Sequence, residues 1–159
     1  MKYAGIIYND LTAAPGVSLT FFTQGCPHRC HGCHNPETWD YNGGLNFTAD
    51  IFDKVVEGLR ANNIKRNLCI MGGEPLCPEN LELTTALVNY IKEKSKDTTI
   101  YLWTGYLYKN VANLPVLEKV DYLIDGPYIE SLRDTTLAMR GSSNQRILDL
   151  HNLKNYDII

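Results

Sequence analysis

Apolar and polar positions alternate along this chain in two distinct rhythms. Residues Tyr3 to Tyr8 form a short apolar run, read as an edge strand or hairpin arm. Asn9 to Gly16 is rich in turn residues, and Val17 to Thr23 (V-S-L-T-F-F-T) is β-branched and aromatic, which predicts a strand. Asn35 to Leu45 contains Pro36, Asn42, Gly43 and Gly44 and predicts a loop or hairpin. The rhythm then changes. Ile51, Phe52, Val55, Val56 and Leu59 keep helical spacing up to about Asn62, with Thr48 placed to cap the helix and Asp50 in its first turn. Leu68 to Met71 is a short, fully apolar strand that ends at Gly72-Gly73-Glu74-Pro75. A second helix starts near Pro78 and carries Leu83, Leu87, Tyr90 and Ile91 on one stripe, with Lys92, Lys94 and Lys96 toward its C-terminus.

Thr99 to Thr104 predicts a third strand of this alternating series, ended by Gly105. Lys109 to Lys119 is weakly helical, split around Pro115. Val120 to Ile124 is the next strand, ended by Asp125-Gly126-Pro127, and Arg146 to Leu150 is a further candidate. His151 to Ile159 gives no assignable pattern. Strand and helix in alternation predict an α/β fold with a mainly parallel sheet. In such sheets ligands gather where the strands end. Four strand ends carry turns of the right kind: Gln24-Gly25, Gly72-Gly73, Gly105 and Asp125-Gly126. A closed eight-stranded barrel takes about 250 residues, so 159 residues predict a single domain, 1–159, built as a partial (β/α) barrel of five or six mostly parallel strands.

Composition narrows the setting. Apolar residues make up 44% and charged residues 21% of the chain, as in ordinary globular proteins. The N-terminal apolar run is too short for a signal peptide, and no stretch approaches the ~18 apolar residues of a membrane helix. These features predict a cytoplasmic chain with reduced or metal-bound cysteines and no membrane partner. A net charge of −3 leaves no electrostatic footprint for nucleic acid.

The chemistry is concentrated in Gln24 to Pro36, Q-G-C-P-H-R-C-H-G-C-H-N-P, which follows the Val17–Thr23 strand directly. Three of the five cysteines lie there, Cys26, Cys30 and Cys33, with C-x3-C-x2-C spacing. Pro27 and Gly32 make the run a loop. Three thiols within it point to a metal. Zinc in a structural site wants four ligands, which the loop reaches only with His28, His31, His34 or the distant Cys77. A 4Fe-4S cluster takes one thiolate per iron, so three cysteines leave one iron open for a substrate or cofactor. Residue chemistry alone leaves both readings standing.

C-x3-C-x2-C after the first strand of the series, with G-G-E-P after the next, resembles the radical S-adenosylmethionine (SAM) enzymes. The longer matches, G-C-P-H-R-C-H-G-C-H-N-P-E-T-W, M-G-G-E-P-L, D-G-P-Y at Asp125 to Tyr128 and R-G-S-S-N-Q-R at Arg140 to Arg146, resemble the activating proteins of anaerobic ribonucleoside-triphosphate reductases. The resemblance implies that Cys26, Cys30 and Cys33 bind three irons of a 4Fe-4S cluster, whose fourth iron is chelated by SAM. It implies contacts to SAM from Gly32, Cys33 and His34 and from Gly72, Gly73 and Glu74, the Glu74 carboxylate meeting the ammonium group. It further implies reductive cleavage of SAM to a 5′-deoxyadenosyl radical, and a glycyl radical on the large subunit of the reductase. The electron would come from a low-potential donor such as flavodoxin. Gly32 departs from the pattern, because many such loops have an aromatic residue before the third cysteine. Thr104, Asp125 and Arg140 to Arg146 read equally well as turn residues and as contacts to SAM, substrate or partner. Cys69 reads as core, and Cys77 as a residue at the start of a helix. The rival functions are activation of another glycyl-radical enzyme such as pyruvate formate-lyase, a radical SAM reaction on a small molecule, and a zinc-stabilised binding module.

Overall fold

A computed structural model describes residues 1–158 of the chain. Among them, seven strands form one sheet: β1 (Lys2–Asp10), β2 (Ser18–Thr23), β3 (Leu45–Asn46), β4 (Asn67–Gly72), β5 (Ile100–Trp103), β6 (Tyr122–Asp125) and β7 (Arg146–Asp149). Their order across the sheet is β3-β1-β2-β4-β5-β6-β7. The central strands β2, β4, β5 and β6 run parallel. The flanking pairings β3–β1, β1–β2 and β6–β7 are antiparallel. Seven strands therefore replace the expected five or six. The additional one, β3, is two residues long and both are exposed, so it has no hydrophobic rhythm to reveal it.

Between β2, β4, β5 and β6 the chain crosses over through helices, as parallel pairing requires. The first is α1 (Asp50–Arg60) and the second α2 (Pro78–Lys94). The third crossover splits into α3 (Tyr108–Val111) and a 3-10 turn at Pro115–Lys119, as Pro115 dictates. Thr48 does not cap α1 in the expected way. Ala49 holds the cap position, and the Thr48 hydroxyl donates to the Asp50 carboxylate instead of accepting a backbone N–H. The helix also ends earlier, at Arg60, because Asn62 and Asn63 adopt left-handed backbone with φ of 58°.

Period-2 alternation sorts the strand residues into two faces. Leu19, Phe21, Leu68, Ile70, Ile100, Leu102 and Leu123 are buried with Ile51, Val55 and Leu59 of α1 and Leu83, Leu87, Val88 and Ile91 of α2. Tyr90, expected on the same stripe, is only half-buried and stacks on Phe52 with ring centroids 5.2 Å apart. On the other face, Cys69, Tyr101 and Ile124 pack with Ala13 and Ala14 and with the flanking Met71, Trp103 and Met139. The first face is a helix-covered core. The second carries the site.

The far end of the sheet is tied by Asp121. Its carboxylate accepts from Ile100 N (2.8 Å), Lys92 Nζ (3.2 Å) and His151 Nε2 (2.6 Å). Burial works to raise its pKa, but these hydrogen bonds outweigh burial and hold it below the usual carboxylate range. A depressed carboxylate stabilises the fold above its unfolded pKa, near 3.9. That contribution disappears as pH falls through the folded value. Asp121→Asn is expected to cost about 1–2 kcal/mol at pH 7. The gap to wild type in urea unfolding should close below about pH 4.

Candidate active site

The C-terminal ends of the parallel strands converge on one cavity of about 570 Å³. Its wall includes Cys26, Cys30 and Cys33 from the loop after β2, Gly72, Gly73 and Glu74 from the turn after β4, Thr104 and Gly105 after β5, and Gly126 and Tyr128 after β6. A volume of this size suits a small-molecule cofactor. Two loops distant in sequence thus share one space, and stitching between backbones brings them together. Gly73 N donates to Thr23 O and Glu74 N to Gly25 O, both at 2.9 Å. The buried Asn80, in the first turn of α2, donates to Gly25 O and Glu74 O, each at 3.0 Å. The glycines of G-G-E-P are required by this approach. A Cβ on Gly73 would lie 2.3 Å from Gly25 O, and one on Gly72, where φ is +107°, would lie 2.6 Å from Thr23 O.

The segment after the cysteines braces them from behind. Gly25 N donates to Thr38 O (2.7 Å) and Cys26 N to Trp39 O (3.3 Å). Buried Gln24 holds that segment by donating to Glu37 O and Asp40 O. Cys26 is buried, whereas Cys30 and Cys33 are half-buried, and all three are free thiols. Burial pushes the Cys26 thiol up to about 11, opposed by the backbone N–H groups of His28 and Arg29 directed at its sulfur. Arg29 reaches this conformation with a φ of 49°. Three thiols on one wall and a glycine-rich turn beside them fit an iron–sulfur cluster with an open position. Among the described residues, no three His, Cys, Asp or Glu side chains are grouped as a single metal ion would require.

Glu74 sits at the centre of the site and is buried. Its carboxylate joins three strand ends, accepting from Leu76 N (2.9 Å), Thr104 Oγ1 (2.8 Å) and Gly105 N (2.7 Å), with His28 Nε2 at 2.7 Å. His34 lines the cavity, its ring 5.7 Å from that of Tyr128. Gly32 lies outside the cavity wall. It adopts a φ of +78°, and a Cβ there would lie 1.9 Å from the Glu130 carboxylate. The space that a side chain at position 32 would enter is taken by the Glu130 carboxylate, which accepts from the Tyr128 hydroxyl at 2.6 Å.

At the end of β6 the Asp125 side chain is engaged within the fold. Asp125 is fully buried and forms a bidentate pair with Arg146, at 3.0 and 2.6 Å, while also accepting from Tyr108 N. Within R-G-S-S-N-Q-R, Gln145 accepts from Gly141 N and Ser142 N and donates to Gly126 O, and Asn144 donates to Pro127 O. The segment thereby pins D-G-P-Y at the cavity. Arg140 is the only Lys or Arg in the cavity wall among the described residues, and its guanidinium donates to Gln145 O and Ala138 O. Cys69 is core. Cys77 caps α2, is buried, and its thiol donates to Glu74 O (3.2 Å).

Sequence patterns placed Gln24 at a strand end without its bracing role, and missed Asn80 and the cavity floor. Phe22, Met71 and Trp103 line the cavity, each next in sequence to a fully buried strand residue, Phe21, Ile70 and Leu102. An aromatic residue or methionine alternating with a core residue, near the glycine turn, was the signal available.

Comparison with known proteins agrees with this geometry. Residues 13–148 match the family described as 4Fe-4S single cluster domain. The anaerobic ribonucleoside-triphosphate reductase-activating proteins of Salmonella typhimurium and of Escherichia coli K12 are each 36% identical over 157 residues, covering 97% of this chain and 100% of theirs. That of Vibrio cholerae is 38% identical over 150 residues, covering 92% of this chain and 97% of its own. Identity at this level over almost the whole chain shows that the protein belongs to the family of anaerobic ribonucleoside-triphosphate reductase-activating proteins.

Proposed function

We propose that this protein activates an anaerobic ribonucleoside-triphosphate reductase as a radical SAM enzyme in the cytoplasm. The observation that carries the reading is the meeting of Cys26, Cys30 and Cys33 with Gly72, Gly73 and Glu74 in one cavity. Bound there, a 4Fe-4S cluster would supply the low-potential electron, received from a donor such as flavodoxin, that splits SAM into methionine and a 5′-deoxyadenosyl radical able to take hydrogen from a glycine Cα of the reductase large subunit.

This chain supplies binding and shielding. Cys26, Cys30 and Cys33 hold the irons. Backbone from Cys33 and His34, and from Gly72 and Gly73, binds SAM, and Glu74 provides the negative charge for its ammonium group. Gly32 acts by its left-handed turn, which sets the direction of the loop into Cys33. Phe22, Met71 and Trp103 form an apolar floor that keeps water from a reactive radical. The sheet is a partial barrel of the radical SAM type, with the helices outside and the cofactors within. Wall residues such as Ile7 and His34 are exposed, so the cavity is not closed by this chain. The glycine-bearing loop of the partner enters the open side and completes the enclosure.

The expected result is slow, uncoupled SAM cleavage by the isolated, cluster-loaded protein. Adding the reductase should couple cleavage to loss of hydrogen from the partner's glycine. Product 5′-deoxyadenosine measured with and without the partner tests this. Equal turnover of a free small molecule without any protein partner would refute it.

A further inference from the structure

The radical SAM reading gives the Glu74 carboxylate to the ligand's ammonium group. In this structure that carboxylate is already full. An ionised carboxylate offers about four acceptor positions. Leu76 N–H and the Thr104 hydroxyl take Oε1. Gly105 N–H and His28 Nε2 take Oε2, each at 2.7 Å. With the side chain only 1% exposed, a new donor reaches it by replacing an old one.

Three of the four donors are fixed. Leu76 and Gly105 contribute backbone amides of the turns themselves. Thr104 is 4% exposed, and its hydroxyl also accepts Tyr106 N at 3.1 Å. His28 differs. Its side chain belongs to the cysteine loop, is 18% exposed and lines the cavity. Its packing is by ring contact alone, edge-on to Tyr106 with centroids 4.6 Å apart and against the bare face of Gly105, where a Cβ would sit 2.6 Å from the ring. An imidazole N–H and an alkylammonium N–H make the same kind of charge-assisted bond to a carboxylate.

We propose that His28 is a stand-in donor, holding Glu74 Oε2 until the primary ammonium group of the cavity ligand displaces it. This rests on the SAM reading above. His28 is then a positioning residue that keeps the buried carboxylate satisfied and its turn in place before the ligand arrives.

Removing His28 takes a hydrogen bond from the free state and none from the bound state, so affinity rises. His28→Ala, loaded with its cluster, should bind SAM about tenfold more tightly than wild type in equilibrium dialysis, the size of one charge-assisted bond. Binding of 5′-methylthioadenosine, which has no ammonium group, should be unchanged. Weaker or equal SAM binding by His28→Ala overturns the proposal, as does an equal gain for methylthioadenosine. Iron content is measured first, and His28→Gln is carried in parallel. If neither variant loads iron, His28 is a fixed part of the loop and the proposal fails. If cluster-loaded wild type binds no SAM, the radical SAM reading itself fails, which is a separate outcome.

Discussion

Replacing Cys30 by alanine is expected to abolish the iron centre. Anaerobically reconstituted wild type is expected to be brown, with about four irons per chain. Cys30→Ala should be nearly colourless and lose most of that iron. The size of the effect follows from ligand number. With three thiols for a four-iron cluster, the protein has no spare cysteine. Cys69 lies in the core on the sheet, and Cys77 is buried at the start of α2, bonded to Glu74 O. Neither lines the cavity. The apo fold should survive, because Cys30 is only half-buried and its thiol makes no hydrogen bond among the described residues. Urea unfolding of the metal-free proteins should therefore differ by less than ~1 kcal/mol. Stoichiometric zinc in a colourless wild type would contradict the cluster assignment and revive the binding-module reading.

Glu74→Ala is expected to cost about 3–5 kcal/mol of stability, read as a lower urea midpoint, together with loss of SAM binding. The reason is geometric. The Glu74 carboxylate joins the turn after β4, the strand end after β5 and the cysteine loop through four hydrogen bonds. Removing it leaves the buried Leu76 N–H without an acceptor and frees the buried Thr104 hydroxyl and the half-buried Gly105 N–H at the cavity wall. Glu74→Gln restores the volume but turns an amide N–H toward existing donors, so it should recover only part of the stability. A Glu74→Ala protein as stable as wild type would remove this residue from the centre of the site.

The fold was legible where local rhythm decided it. Ile51, Val55 and Leu59 announced α1, and the glycines after each parallel strand announced the strand ends. The cysteine loop and G-G-E-P were legible as motifs, and the structure places both on one cavity. The remainder depends on partners distant in sequence. Asp125 looked equally suited to a ligand contact, but Arg146, on the neighbouring antiparallel strand, claims its carboxylate. Gln24 and Asn80 carry no periodic signal, since each acts by meeting backbone carbonyls of another segment. Gly32 was visible as a departure from the family pattern. What fills the space, the Glu130 carboxylate, comes from about a hundred residues later in the chain. Glycines 72 and 73 were expected to serve a ligand, and the structure adds a second reason for them in the close approach of two backbones.

The most direct test of the central claim is electron paramagnetic resonance on a mixture of reduced, cluster-loaded protein, SAM and the candidate reductase. A doublet from a glycyl radical on the reductase is expected, absent when Cys30→Ala replaces the wild type. A cluster-loaded wild type that cleaves SAM beside the reductase and leaves no such radical would contradict it, as would a full glycyl signal with Cys30→Ala.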